Sequence, residues 1–378
     1  MIRINFKQIA VVIITALLSA TITLGYVYKE NFSAIYLRGI IEENYYGEID
    51  EKKLEDGAMA GIVDSLGDDY SFFVDGETGY DAYKEEINGE FSGVGVQISE
   101  TEEGCLITNV FKGSPAEQQG LQVGDIIIGV NEEDVSKMDV TGISNRVKGE
   151  TGTNVTITVE RNGESKSFEL VRAKVNVPTV ETKNFEDVGY IKISEFNSNT
   201  DEDFEKALKE LENQKGVIID LRYNGGGLLD TAINMLDMII NEGKFITTKY
   251  KDGEFTYCAS GKQFYEKDIV VLVNELSASA SEFFSAAVKE NDRGEIVGKN
   301  TYGKGSIQSS FQLPENRGVH LTIGRFYSPE GNEINKVGVA PDYEVDNPEK
   351  YNLMDVSVIP FEEDAQLKKA VELIKNIK

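Results

Sequence analysis

Three hydroxyls and one amine stand in settings suited to acyl transfer. Ser277, Ser279 and Ser281 alternate with alanines in Ser277-Ala278-Ser279-Ala280-Ser281-Glu282, shortly after the apolar run Ile269 to Val273. Small residues let such a turn pass close to a substrate backbone, and a serine at a strand-to-helix junction has a helix dipole behind it. Serine is a weak nucleophile until a base takes its proton. The chain has one histidine, His320, so the base must be sought elsewhere, and Lys304 in Thr301-Tyr302-Gly303-Lys304-Gly305-Ser306-Ile307-Gln308 is the natural candidate. It would have to be buried, because desolvation is what brings a lysine from about 10.4 toward neutrality. Ser281 with Glu282 reads as a helix opening. Between Ser277 and Ser279 the residues alone do not choose.

A second cluster follows the run Val217 to Leu221: Arg222-Tyr223-Asn224-Gly225-Gly226-Gly227, then an apolar helix. A buried strand running into glycines at a helix N-terminus gathers free N–H groups and the positive dipole end, which suits an anion. A nucleotide phosphate lacks its usual glycine-lysine signature here. The transient oxyanion of acyl transfer needs the same donors.

The elements that would position these groups are legible in the apolar spacing. Beyond Pro178, strands at Tyr190 to Ile193, Val217 to Leu221 and Ile269 to Val273 alternate with helices over Asp201 to Glu212, Leu228 to Ile240 and Ser281 to Glu290. That alternation predicts an α/β layer with parallel strands. From Phe91 to Arg172 the period is that of strands, with short helices over Pro115 to Gln119 and Val140 to Lys148, stopped by Gly120 and Gly149. Ile35 to Ile62 reads as two helices interrupted near Gly47 and Asp50, Ser65 to Glu90 as a connector with one more, and Ala365 to Ile377 as a helix packing on the body or on a second copy.

Gly93-Val94-Gly95-Val96, Ser114-Pro115-Ala116, Gly120-Leu121 and Gly124 to Asn131 together resemble a PDZ domain. By that resemblance Gly93, Val94, Gly95 and Val96 form the loop that takes a peptide's terminal carboxylate, and Ile143 and Val147 wall the groove. Arg222 to Gly227, Ser277 to Glu282 and Gly303 to Gln308 occur in the order and spacing of the carboxyl-terminal processing peptidases, also called tail-specific proteases. Tyr327-Ser328-Pro329-Glu330-Gly331 and Gly338 to Asp342 are similar to a further block of that family, and the similarity runs roughly from Ile35 to Val345. The resemblance implies Ser279 as nucleophile, Lys304 as general base, Gln308 orienting the lysine, and an oxyanion hole from the N–H groups of Ala280 and Gly226, with Gly225 the neighbouring alternative. It also implies a serine endopeptidase that needs no cofactor or metal and acts on proteins with accessible C-termini, gated or supplied by its PDZ domain. A regulatory partner protein or a homodimer through the terminal helices belongs to the same expectation.

Composition sets the remaining bounds. With 65 acidic and 38 basic residues and a net charge of −27, the chain repels phosphate backbones, so nucleic acid is not an expected partner. Cys105 and Cys258 fall in different expected domains, which argues against a disulfide. Gln8 to Tyr28 carries no formal charge and follows Arg3 and Lys7, about the 20 residues a spanning helix needs. Lacking a clear Ala-x-Ala site, it reads as an uncleaved anchor, with everything after Lys29 outside the cytoplasm. The expected organisation is an anchor (1–28), a helical N-terminal region (29–90), an inserted, mainly-β PDZ domain (91–173), an α/β protease core (174–350) and a helical tail (351–378). A membrane-tethered PDZ scaffold without catalysis is the competing reading.

Overall fold

The computed structural model describes residues 13–16, 18–19, 32–76, 79–101, 104–351 and 356–376. The expected anchor falls largely outside them, as does Ile377. Among the described residues no helix is long and apolar enough to cross a membrane.

The chain divides into two units, residues 1–65 and 66–378. In the first, residues 32–44 are helical, and Glu51–Asp64 forms a second helix whose first turn is capped by the Asp50 carboxylate on the Lys53 N–H. These are the two expected helices.

The second unit is organised by a six-stranded sheet. Val180–Phe185 pairs antiparallel with Val188–Ile193, and from there Gly216–Asp220, Asp268–Val273, Gly294–Gly298 and Tyr343–Glu344 add in parallel. The inner strands Val188–Ile193, Gly216–Asp220 and Asp268–Val273 are mostly apolar and buried because both their faces are covered. Ile191, Val217, Ile219, Val271 and Ile296 face the helices Thr200–Glu210, Leu229–Ile239 and Ala280–Glu290. The alternate residues Tyr190, Ile218, Val270 and Leu272 face the C-terminal helix Ala365–Asn376, which buries Leu367, Val371 and Ile374. The tail thus packs on the body.

A second sheet stands beside the first. The long strand Arg317–Tyr327 pairs with Ser306–Leu313, Lys244–Tyr250 and Phe72–Val74, and Gly253–Cys258 extends the edge. Phe72–Val74 was not expected as a strand: three residues show no period of their own, and their partners are Gly318 to His320.

The inserted lobe has its own core of Val94, Ile107, Ile127, Ile157 and Leu170. Its sheet runs in the order Val96–Thr101, Gly104–Val110, Ile126–Val130, Asn154–Arg161, Glu164–Val171. The expected helices appear as Pro115–Gln119, opened by Ser114 and closed by left-handed Gly120, and Val140–Val147. Chain entry and exit are tied by the antiparallel pair Glu90–Gly93 and Ala173–Asn176. Both cysteines are free, Cys105 buried and Cys258 exposed.

Candidate active site

The three hydroxyls of the serine run lie in different settings. Ser277 is fully buried, donating to the Leu221 carbonyl at 2.8 Å and accepting from the Asn274 N–H at 2.9 Å. Ser281 is fully buried too, its hydroxyl bonded to the Asn224 carbonyl at 2.9 Å. Both brace the loop. Ser279 is only partly buried and takes φ 54°, ψ −113°, a backbone conformation costing a non-glycine residue about 1–3 kcal/mol and concentrated at functional sites. Ser279 rather than Ser281 is the N-cap of the helix Ala280–Glu290. Ser281 already lies inside the first turn, which corrects its expected role as the opening residue.

The helix opening also exposes what the sequence reading passed over. Glu282, fully buried, sends both carboxylate oxygens into the loops around the site. Oε2 accepts the N–H of Ser279 at 2.8 Å and the N–H of Lys304 at 2.8 Å, while Oε1 accepts the Gly303 N–H and the Thr301 hydroxyl, each at 2.6 Å. Burial pushes this carboxyl up, against four donated bonds that pull it down, and the net is above its ordinary range. The signal was present: a serine followed three residues later by glutamate is the capping-box spacing. Here the glutamate serves two loops instead of one helix end.

Lys304 is half-buried just before the strand Ser306–Leu313. Burial lowers its amine below the ordinary lysine range, while the charges of Glu282 and Asp68 pull the other way. The amine lies over the Tyr70 ring, 4.7 Å from its centroid. Its glycine neighbours serve close approach: a Cβ on Gly305 would meet the Asn335 backbone nitrogen at 2.5 Å. Gln308 follows a register shift between Ile307 and Gln308, and its amide nitrogen donates to Ser306 Oγ at 2.8 Å and Thr322 Oγ1 at 3.2 Å. Among the described residues no hydrogen bond joins Gln308 directly to Lys304.

The glycine turn lies against Ser279. A Cβ on Gly226, at φ 109°, would stand 2.7 Å from Ser279 Cβ and 3.0 Å from the Ala280 nitrogen. The Gly226 N–H itself donates to Asn224 Oδ1 at 2.8 Å, while Gly225 beside it is exposed. Arg222 holds the turn from behind. Its guanidinium, 2% exposed, binds Asp220 and Asp364 and donates to Gln366 at 3.0 Å.

The expected peptide-binding residues divide. Gly93 ends the strand Glu90–Gly93, Val94 is fully buried, and the Gly95 carbonyl accepts from the Phe111 N–H and the Ser114 hydroxyl. Val96 opens the edge strand Val96–Thr101. Ile143 and Val147 are buried in the lobe's core. His320 lies between Phe72 and Tyr83 and bonds Ser310 through Nδ1 at 2.8 Å; burial lowers its imidazole. Among the described residues no group of three or more His, Cys, Asp or Glu could hold a metal ion.

Known proteins share this arrangement. Residues 187–345 match peptidase family S41, 84–160 the PDZ domain, and 32–78 the activating protease CtpB N-terminal domain. A protein of Staphylococcus aureus (strain COL) named "Probable CtpA-like serine protease" is 33% identical over 323 residues, 84% of this chain and 65% of that protein. This chain therefore spans about two thirds of the length of its staphylococcal relatives. The carboxy-terminal-processing protease of Bartonella bacilliformis is 32% identical over 346 residues, 88% of this chain and 79% of that one. The solved structure of the photosystem II D1 C-terminal processing protease superposes with a TM-score of 0.50 at 28% identity, covering 82% of this chain and 86% of that one. The catalytic sheet, its inserted lobe and these likenesses lead to one assignment: the chain belongs to the carboxy-terminal-processing proteases of peptidase family S41 and carries a PDZ domain.

Proposed function

We propose that this chain is a serine endopeptidase that cuts proteins near their carboxyl-terminal tails, with Ser279 as nucleophile, Lys304 as general base and Gln308 orienting the amine. The observation that carries the reading is the shared acceptor: the N–H groups of Ser279 and Lys304 both bond to Glu282 Oε2. Two donors on one oxygen cannot be farther apart than the sum of the two bonds, so the loops bearing nucleophile and base are held side by side.

The chemistry follows from that placement. Neutral Lys304 takes the Ser279 hydroxyl proton as Oγ bonds to the scissile carbonyl carbon. Negative charge gathers on the carbonyl oxygen, facing the Ala280 N–H and a donor from the glycine turn. The Gly226 N–H, in the turn against Ser279, bonds Asn224 Oδ1 and serves once that bond opens; Gly225 beside it is the alternative donor. The lysine then gives its proton to the leaving amine as the C–N bond breaks; water, deprotonated by the same lysine, bonds to the acyl carbon, and the lysine returns that proton to Ser279 Oγ as the carboxyl product leaves.

The PDZ lobe delivers or gates substrate in this reading. Support comes from Val96–Thr101, an edge strand of the lobe's sheet, to which a peptide tail can add as a further strand. The uncharged segment at Gln8 to Tyr28 behind Arg3 and Lys7 anchors the chain in the cell membrane, placing the catalytic unit outside the cytoplasm. A homodimer or a regulatory partner is the remaining part of the family expectation.

The test is cleavage of an unstructured protein by the full chain. Activity is expected and should disappear in Ser279→Ala and Lys304→Ala. Cleavage that survives both substitutions would remove Ser279 and Lys304 from the reaction, and tail binding without any cleavage would leave only the scaffold reading.

A further inference from the structure

The turn at residues 68–71 reaches both the base and the residue proposed to orient it. Its internal bonds make it stiff: the Ser71 N–H donates to the Asp68 carbonyl at 3.1 Å and the Ser71 hydroxyl to Asp68 Oδ2 at 2.5 Å. One side of the turn is the Tyr70 ring, whose centroid lies 4.7 Å from Lys304 Nζ. The other side grips Thr322 on the long strand Arg317–Tyr327. Thr322 donates its N–H to Ser71 Oγ at 3.0 Å, the same hydroxyl that donates to Asp68 Oδ2. The Thr322 hydroxyl accepts from the Gln308 amide at 3.2 Å. A relay therefore runs from the Gln308 amide through Thr322 and the Ser71 hydroxyl to the Asp68 carboxylate, while the next residue but one of the turn lies under the amine.

Elementary chemistry gives this arrangement a purpose. A lysine amine swings on a flexible four-carbon stem, so a base that must meet one hydroxyl needs a wall. An aromatic face supplies one, excluding water and attracting the ammonium form through its quadrupole. The groups facing the amine are Asp68, Glu282 and Tyr70, with His320 near enough to feel its charge. Resting on the peptidase reading above, we propose that Tyr70 and Asp68 are positioning residues for the general base: the ring confines the Lys304 amine, and Asp68, through Ser71 and Thr322, holds the Gln308 amide in register with it.

The experiment measures kcat and KM across pH for the full chain on denatured casein, with Ser279→Ala as the blank. Tyr70→Ala is expected to lower kcat at least tenfold with KM within twofold, and Tyr70→Phe, which keeps the ring face, to stay within threefold of the native chain. Asp68→Asn removes a negative charge that favours the ammonium, so the rising limb of kcat against pH moves to lower pH. Thr322→Val, which breaks the relay while leaving that charge, lowers kcat without moving the limb in that direction. Tyr70 is only half-buried, and melting temperatures check that each variant is folded. An unchanged kcat in Tyr70→Ala, a loss in Tyr70→Phe as large as in Tyr70→Ala, or an unmoved limb in Asp68→Asn overturns the proposal. If the native chain cuts casein and Ser279→Ala does not, that failure belongs to the turn alone; if the native chain does not cut, it is the peptidase reading that fails.

Discussion

Two strand-to-helix junctions leave the same end of the central sheet on neighbouring parallel strands, one after Gly216–Asp220 and the other after Asp268–Val273. They are pinned in opposite ways. The first is fastened by ions, with Arg222 clamped between Asp220 and Asp364. The second is fastened by a single carboxylate, Glu282, whose four partners are three backbone N–H groups and one hydroxyl. The first junction contributes backbone donors in the proposed mechanism and can tolerate permanent charges behind it. The second must sit beside an amine that changes charge during the cycle. A carboxylate whose lone pairs are occupied by dipolar donors fixes geometry there with less demand on that amine. Its residual pull on Lys304 is outweighed by burial, since the amine remains below its ordinary range.

The contrast can be broken most severely at the ionic junction. Arg222→Met leaves Asp220 and Asp364 buried without their counter-charge, and the loss should be about 3–5 kcal/mol of folding stability, read from the urea midpoint. A change under about 1 kcal/mol would mean that the ions are not what fastens this turn. At the other junction, Glu282→Gln keeps the volume but points an amide N–H₂ at groups that are themselves donors. Its signature is catalytic: kcat should fall on the order of 100-fold, about 2.7 kcal/mol in barrier, and an unchanged kcat would detach Glu282 from the site.

Gentler perturbations sharpen the same contrast. In the proposed mechanism the working base is the neutral amine of Lys304, and burial lowers its pKa. Activity should therefore rise about tenfold per pH unit below that pKa and level off before the ordinary lysine value of about 10.4. A flat profile with chemistry limiting would remove Lys304 from the role of base. Thr301→Val deletes one of the four donors to Glu282 and strips the Val339 N–H of its acceptor. It should cost about 1 kcal/mol and lower kcat only a few-fold; a loss as large as that of Glu282→Gln would show that the donors do not share the load.

What could be read from the chain beforehand was whatever is written locally. Val217 to Leu221 and Ile269 to Val273 announce buried strands because both their faces must be apolar, and Pro115 to Gly120 announces a capped helix by its end residues. The junctions carrying Ser279 and Lys304 were legible for the same reason. Contacts between distant residues leave no such trace. Asp364 meets Arg222 across 142 residues, and Thr322 meets Ser71 across 251. What separates Ser277 from Ser279 is which hydroxyl is buried, and the Ser277 hydroxyl is tied down by the Leu221 carbonyl, 56 residues away in the chain. Ile143 and Val147 show the converse limit. Their helical spacing suits a groove wall and a core face equally, and the fold buries both.

The paired strands at Glu90–Gly93 and Ala173–Asn176 give the PDZ insertion the form of a cassette. Adjacent strands lie about 4.8 Å apart, so removing the lobe leaves two chain ends that a turn of a few residues can rejoin. The catalytic sheet takes no strand from the lobe, and the lobe's core is its own. Loss, exchange or duplication of this module in a gene would thus leave the strand order of the central sheet unchanged, and in the proposed reading substrate preference is inherited separately from chemistry.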